Sequence, residues 1–314
     1  MPPAKAKPSE IAADCKKRWL PYFRALEAEK SDGLCHKLTS LICLTDDPYF
    51  INVLPPKPPR HTRFAFYEQD AVDVALEWAN RTIRVGVILP ANDKRPGGDW
   101  EAGVMSPEEC LCRRSTLYAN LTTPGDGNVM GDTNYPIPER AGILSWTVAV
   151  FRGGPEKYDE WGNYQTLPVI SVPPVRRPKL DPSGTRYSFN QEKELMREKI
   201  TTALRIAAYY QLPDLVISTF GLGPGFRNPP EEVAMMWRDA FLGEGSEFFG
   251  HFRDVVFAFE NPEGPSRSKT SSSKASSSKS NSGSSKTAAA PWSAAFDLEV
   301  FQNVFNPSNI HGSD

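Results

Sequence analysis

The chain of 314 residues contains no apolar run near the roughly 18 residues that a membrane-spanning helix requires. Its opening residues, Met-Pro-Pro-Ala-Lys-Ala-Lys-Pro, lack the hydrophobic stretch of a signal peptide. No membrane association is therefore expected, and the expected address is intracellular, cytoplasmic or nuclear. Cysteine is scarce: there are five, and only Cys110 and Cys112 lie close together, at a spacing that fits neither a zinc knuckle nor a redox C-x-x-C pair. Reduced thiols are expected. Cys35, His36 and Cys43 lack a fourth ligand at a suitable spacing, and no metal site is expected. An excess of basic charge is also missing: 36 Lys and Arg stand against 38 Asp and Glu, for a net charge of −2. That excludes a strong direct grip on a nucleic-acid backbone by counterion release. Neither G-x-x-x-x-G-K-[ST] nor a full G-x-G-x-x-G is present, so P-loop and dinucleotide-binding assignments fit poorly, and no cofactor is expected. The four histidines are scattered without triad or metal spacing.

What is present is enough apolar residue, 39% of the chain, for one large or two small domains. One segment stands apart: twelve of the twenty residues 266–285 are Ser, and no acidic residue occurs between Glu263 and Asp297. Such a tract has nothing to bury and is expected to be disordered. Setting aside the five basic residues between Glu263 and Asp297 leaves 31 basic against 38 acidic residues, so the folded part is acidic. Beyond it, Trp292, Phe296, Leu298, Val300, Phe301 and Val304 form an apolar helical pattern able to return to the body, which makes the tract an insertion. The expected organisation is an N-terminal helical extension over 1–62 packed on the core, a core over 63–260, a disordered Ser/Lys-rich insertion over 261–291, and a docking C-terminal segment over 292–314.

Within the core, short β-branched runs alternate with helical patterns. Strands are expected at 63–67, 82–89, 145–151, 167–172, 214–219 and 254–259. Helices are expected at 70–80, at 191–210, and after Asn228, whose side chain would cap a helix with Pro229 at its first position. Trp78, Trp146, Trp237 and Phe241 are assigned to apolar faces. Asp132, Asn134 and Tyr135 are assigned to a loop. The alternation predicts an α/β fold in three layers, a sheet flanked by helices, with ligands at the carboxyl ends of strands.

Two glycine-rich loops fall at such ends. The first runs from Asn92 through Gly97, Gly98 and Asp99 after the strand ending at Leu89; the second holds Gly221, Gly223, Gly225 and Phe226 between a strand and a helix. Paired glycines let backbone N–H groups approach a phosphate, and a helix N-terminus adds its dipole, so two such loops suggest a diphosphate. Beside the first loop stands Ser106-Pro107-Glu108-Glu109. Ser at the N-cap with Glu three residues on is a capping box, which by itself accounts for Glu109. The same two carboxylates, next to a phosphate cradle, also suit general acid catalysis at a glycosidic bond.

Together these residues resemble the microbial-type poly(ADP-ribose) glycohydrolases. The resemblance rests on Asn92 to Pro96, Gly97-Gly98-Asp99, then Pro107-Glu108-Glu109, Arg113 to Tyr118, and the loop from Gly221 through Phe226-Arg227-Asn228. It implies a macrodomain-like mixed sheet and a hydrolase of ADP-ribosyl linkages. Glu109 would be the catalytic acid and Glu108 its neighbour on the distal ribose. Asn92, Gly97 and Gly98 would line the substrate, with the two glycines under the diphosphate; Gly221, Gly223 and Gly225 would close over it, and Phe226 would pack near the distal ribose. ADP-ribose and ADP-ribosylated proteins are the implied partners, and a monomer is expected. A non-catalytic ADP-ribose reader and a mono(ADP-ribosyl)-protein hydrolase are the alternatives. The chain departs from the family pattern in three places. Its third glycine is Asp99, whose charge opposes a diphosphate unless it turns to solvent. Pro107 replaces a glutamine, and the second loop is one residue longer.

Overall fold

The computed structural model describes residues 6–29, 37–46, 61–80, 84–126, 128, 130–260 and 293–310. The Ser-rich tract, Cys35, His36 and Trp292 lie outside the described residues.

Among the described residues seven strands form one sheet: β1 (Leu41–Leu44), β2 (Arg63–Tyr67), β3 (Val85–Pro90), β4 (Ala141–Arg152), β5 (Glu160–Val172), β6 (Asp214–Ile217) and β7 (Asp254–Ala258), in the order β1-β4-β5-β3-β6-β7-β2. The five strands from β5 to β2 pair in parallel, and β1, β4 and β5 pair antiparallel, so the sheet is mixed. A parallel strand at the centre is covered on both faces and therefore reads as a continuous apolar run. All six residues of β3, Val-Gly-Val-Ile-Leu-Pro, are buried. Alternation sends Val85, Val87 and Leu89 into one core and Ile88 into the other.

The first core is closed by α1 (Pro8–Asp14), α2 (Leu20–Glu29), α3 (Ala71–Ala79), α4 (Pro107–Arg114) and α5 (Leu117–Thr122). The second is closed by α6 (Asn190–Tyr209), α8 (Pro230–Leu242) and α9 (Ala294–Val304); α7 (Gly223–Phe226) is a single turn in the second glycine loop. This is the three-layer α/β arrangement that the alternation of elements predicts.

Several boundaries differ from the sequence reading for physical reasons. The strands expected at 145–151 and 167–172 are the inner parts of β4 and β5, a long antiparallel pair in which each supplies the other's backbone partners. Leu41–Leu44 has too few residues to show a period, yet it pairs with β4 as an edge strand, ahead of the core boundary expected at residue 63. Trp237 and Phe241 are buried, whereas Trp146 is 44% exposed beside a bulge in β4. In the N-terminal region Trp19 stacks on Phe151, with ring centroids 4.4 Å apart, and Phe23 follows at 5.4 Å.

Helix α9 starts where the Ser293 hydroxyl accepts from the Phe296 amide at 3.1 Å, and it lays Phe301 against Phe257 and Phe259, each 5.1 Å away between centroids. Phe301 is fully buried. Phe301→Ala is expected to lower stability by about 3–4 kcal/mol, the usual penalty for emptying a buried aromatic site. Chemical denaturation checks this; an unchanged midpoint would show that α9 contributes nothing to the folded body.

Candidate active site

Strand β3 lies between β5 and β6, and all three run in the same direction. The chain therefore leaves them at one end of the sheet, which is where α/β folds bind ligands. The exits are stitched together: Ala91 N donates to Val172 O at 3.1 Å, and Ser218 N donates to Ile88 O at 3.0 Å. The second glycine loop starts from β6 but is fastened to the segment that follows β5. Asn228 Nδ2 donates to Val175 O at 2.7 Å and to Gly221 O at 2.8 Å, and Arg177 N donates to Phe226 O. The loop thus ties together the exits of β6 and β5, the two strands that flank β3.

The first loop is shaped from within. Asn92 Oδ1 accepts from Lys94 N at 2.9 Å and Arg95 N at 3.1 Å, a side-chain mimic of a backbone turn. Gly97 and Gly98 follow at φ +68° and +52°, a region that favours glycine. Space requires glycine too: a Cβ on Gly97 would lie 2.9 Å from Cys112 Sγ, and one on Gly98 only 2.4 Å from Glu109 Oε1. Trp100 then buries itself against Tyr118 at 4.8 Å, and Arg113 Nη1 holds the Trp100 carbonyl at 2.8 Å. Arg113 and Arg114, prominent in the sequence motif, are fully buried; Arg114 pairs with Asp70 and Asp73 at the start of α3.

Both glutamates of α4 turn back onto this loop. Glu108 Oε2 accepts from Asn92 N at 2.7 Å and Oε1 from Gly97 N at 3.2 Å. Glu109 Oε1 accepts from Asp99 N at 3.3 Å, while Oε2 accepts from the Ser106 hydroxyl at 2.7 Å. A capping box would have Ser106 accept from the Glu109 backbone, but the hydroxyl donates to the Glu109 carboxylate and makes no side-chain cap. The capping account of Glu109 thus fails, and its carboxylate belongs to the loop. Pro107 occupies the first helical position, whose N–H has no partner within a helix, so the missing backbone donor costs the helix no hydrogen bond.

Burial pushes the Glu108 carboxyl well above its ordinary range, and the neighbouring Glu109 adds to that; the amides of Asn92 and Gly97 and the charge of Arg176 oppose it. Asp99 is half-exposed, and its carboxylate pairs with Arg95, which offsets its charge. One expectation is corrected here. The amides of the first loop do not point outward as a phosphate nest: Gly97 N donates to Glu108, Gly98 N to Arg95 O at 3.3 Å, and Asp99 N to Glu109. Gly98 leaves room for the Glu109 carboxylate, and Gly97 for the Cys112 thiol and the Trp100 ring.

The second loop is more open. Gly223 and Gly225 border empty space, with nothing within 4 Å of a Cβ on either, and Gly221 sits at the base where Asn228 N donates to its carbonyl at 3.2 Å. Phe226 is buried beneath the Arg176 guanidinium, 5.4 Å from its centroid. Asn228 is not the expected helix cap: Pro229 takes that position, and the Asn228 side chain is the loop's staple, accepting from Tyr187 Oη at 2.8 Å as well. The expected strand ends at Ile217, because Ser218 turns to bond β3.

Arg176 and Glu260, at this end of the sheet, were not singled out from the sequence, and Tyr135 was given only a loop role. Arg176 follows β5 in a Pro-Pro-Val-Arg-Arg run that carries no motif. Tyr135, read as loop punctuation, has a buried hydroxyl without a hydrogen-bond partner among the described residues, and its titration is raised by burial and then by Glu108. Glu260, just past β7, accepts from Ser218 Oγ at 2.8 Å and Ala71 N at 3.2 Å; burial and Asp70 push it up to about 8. Among the described residues, no group of three or more His, Cys, Asp or Glu is arranged to hold a metal.

The family model for the microbial-type PARG catalytic domain matches residues 35–153, which include the first loop and both glutamates. No curated protein sequence matches the chain. Among solved structures, poly(ADP-ribose) glycohydrolase from Thermomonospora curvata is similar at 21% identity and a TM-score of 0.65, over 80% of this chain and 93% of that one. Its complex with the inhibitor ADP-HPD is similar at 22% identity and a TM-score of 0.62, over 80% and 92%. The Deinococcus radiodurans enzyme in complex with ADP-ribose is similar at 23% identity and a TM-score of 0.57, over 70% and 86%. The stretch that carries the diglycine loop and the paired glutamates thus matches the microbial-type PARG catalytic domain, and the mixed sheet beneath them has the fold of the poly(ADP-ribose) glycohydrolase structures.

Proposed function

We propose that the protein hydrolyses the ribose–ribose bonds of poly(ADP-ribose) and releases ADP-ribose, with Glu109 as the general acid. The observation that carries this reading is the contact between the acid and the glycine loop: Glu109 Oε1 lies where a side chain on Gly98 would be. The carboxyl is thereby held to the loop over which the substrate would run, and 7% of the residue remains exposed at the groove. In the reaction, the Glu109 proton passes to the departing ribose oxygen as the C1–O bond breaks and the distal ribose gains oxocarbenium character. Water then adds at that carbon and returns a proton to the carboxylate. Glu108 keeps the loop in register through the Asn92 and Gly97 amides. Phe226, Gly223 and Gly225 close the groove from the other side, and ADP-ribosylated proteins are the partners.

The deciding experiment incubates the protein with poly(ADP-ribose) and, in parallel, with a mono-ADP-ribosylated protein, and measures free ADP-ribose. Release from the polymer is expected. Release only from the mono-modified protein would move the substrate class, and binding without release from either would make the protein a reader. ADP-ribose affinity is expected to be the same with and without a chelator in calorimetric titration, because no group of three or more His, Cys, Asp or Glu among the described residues is arranged to hold a metal. A requirement for an added divalent cation would count against this site.

A further inference from the structure

The first loop leaves the groove short of outward donors, since the amides of Gly97, Gly98 and Asp99 all donate within the loop or to the two glutamates. A diphosphate lying there needs positive charge from elsewhere. Arg95 is engaged with Asp99. Arg176 leaves the end of β5, the strand beside β3, and is exposed; its guanidinium stacks over Phe226 of the second loop. Its charge is also felt by Glu108, on the first loop's side of the groove. It therefore stands over the second loop, with its charge directed at the same end of the sheet as Glu108. Among the described residues no carboxylate forms an ion pair with it. A stacked guanidinium keeps its edge free, and that edge presents a fork of N–H donors matched to phosphate oxygens.

Resting on the glycohydrolase reading above, we infer that Arg176 is the side-chain contact for a substrate diphosphate, held in place by the ring of Phe226. Two sources offer that group in a polymer: the diphosphate of the ADP-ribose unit in the groove, and that of the adjoining unit beyond the distal ribose. The chemistry is the same, and the two differ in which ligand reports the loss.

The test compares wild type with Arg176→Gln and Arg176→Lys, each checked for unchanged melting, in calorimetric titrations with ADP-ribose and adenosine and in turnover of poly(ADP-ribose). Arg176→Gln is expected to weaken ADP-ribose on the order of 10- to 100-fold, as for loss of a charge-assisted hydrogen bond. Adenosine binding should be unchanged. Arg176→Lys should recover part of the loss, and the salt dependence of ADP-ribose affinity should flatten in Arg176→Gln. Normal ADP-ribose affinity with a raised KM on polymer alone would assign the contact to the adjoining unit's diphosphate. Lys179→Gln, three residues on and stacked on Phe189 at 5.4 Å, removes the same charge nearby and should change neither. If Arg176→Gln binds ADP-ribose and turns over polymer as wild type does, or weakens adenosine equally, the inference is overturned, the latter result leaving Arg176 as only a prop for Phe226. A wild type that binds no ADP-ribose would instead remove the glycohydrolase reading and this inference with it.

Discussion

Glu109→Gln is expected to reduce release of ADP-ribose from the polymer by about a thousandfold, within the range that general acid catalysis supplies, while ligand affinity stays within a few fold. The amide is isosteric with the carboxyl: its oxygen can accept from Asp99 N, and its NH2 can donate to the Ser106 hydroxyl, which can turn from donor to acceptor. What it lacks is the proton for the leaving oxygen. A residue that only capped α4 would behave differently: losing a cap costs about 1 kcal/mol and leaves turnover intact in the folded fraction. Glu108→Gln offers a contrast, because Glu108 accepts from two backbone amides through its two oxygens. An amide has one acceptor oxygen and must set its NH2 against one of those N–H groups, so loosening of the first loop and weaker binding are expected. Single-turnover release and calorimetry on protein of verified melting temperature separate these cases; wild-type turnover in Glu109→Gln would end the acid assignment.

Gly98→Ala should be nearly as damaging to turnover, although it changes no chemical group. A side chain at φ +52° is strained by roughly 1–2 kcal/mol, and its Cβ would come 2.4 Å from Glu109 Oε1. The carboxylate must move aside, and a displacement of about 1 Å at a reacting group can reduce the rate on the order of 100-fold. The expected result is a fall of that size in kcat with a drop of a few degrees in melting temperature. Gly162→Ala, on β5 with nothing within 4 Å of its Cβ, is the matched control and should leave both unchanged. Equal behaviour of the two variants would mean that Glu109 is not held against the loop.

The elements that were legible beforehand are those whose pattern is local. The buried run of β3, the five-residue strand at Arg63–Tyr67 and the long amphipathic helix Asn190–Tyr209 each carry their periodicity within one window. Leu41–Leu44 was not legible because four residues show no period and its pairing partner lies a hundred residues on, at Ala141 to Leu144. Asn228 looked like a cap because Asn before Pro commonly starts a helix; its side chain instead bonds Val175, more than fifty residues earlier in the chain, a choice that no local rule contains.

The same division holds at the site. Sequence by itself determined which groups are available: two glycines followed by two adjacent glutamates, and a second glycine loop ending in Phe226, because identity and order of residues are enough to mark a motif. Only tertiary structure decided what each group does there. It paired Asp99 with Arg95, drew the amides of Gly97 and Asp99 inward to Glu108 and Glu109, and set Arg176 over Phe226. The physical reason is that hydrogen-bond direction and charge proximity depend on where distant strands exit the sheet. β5, β3 and β6 are adjacent in space but separated along the chain, so the contacts between their loops exist only once the sheet has formed.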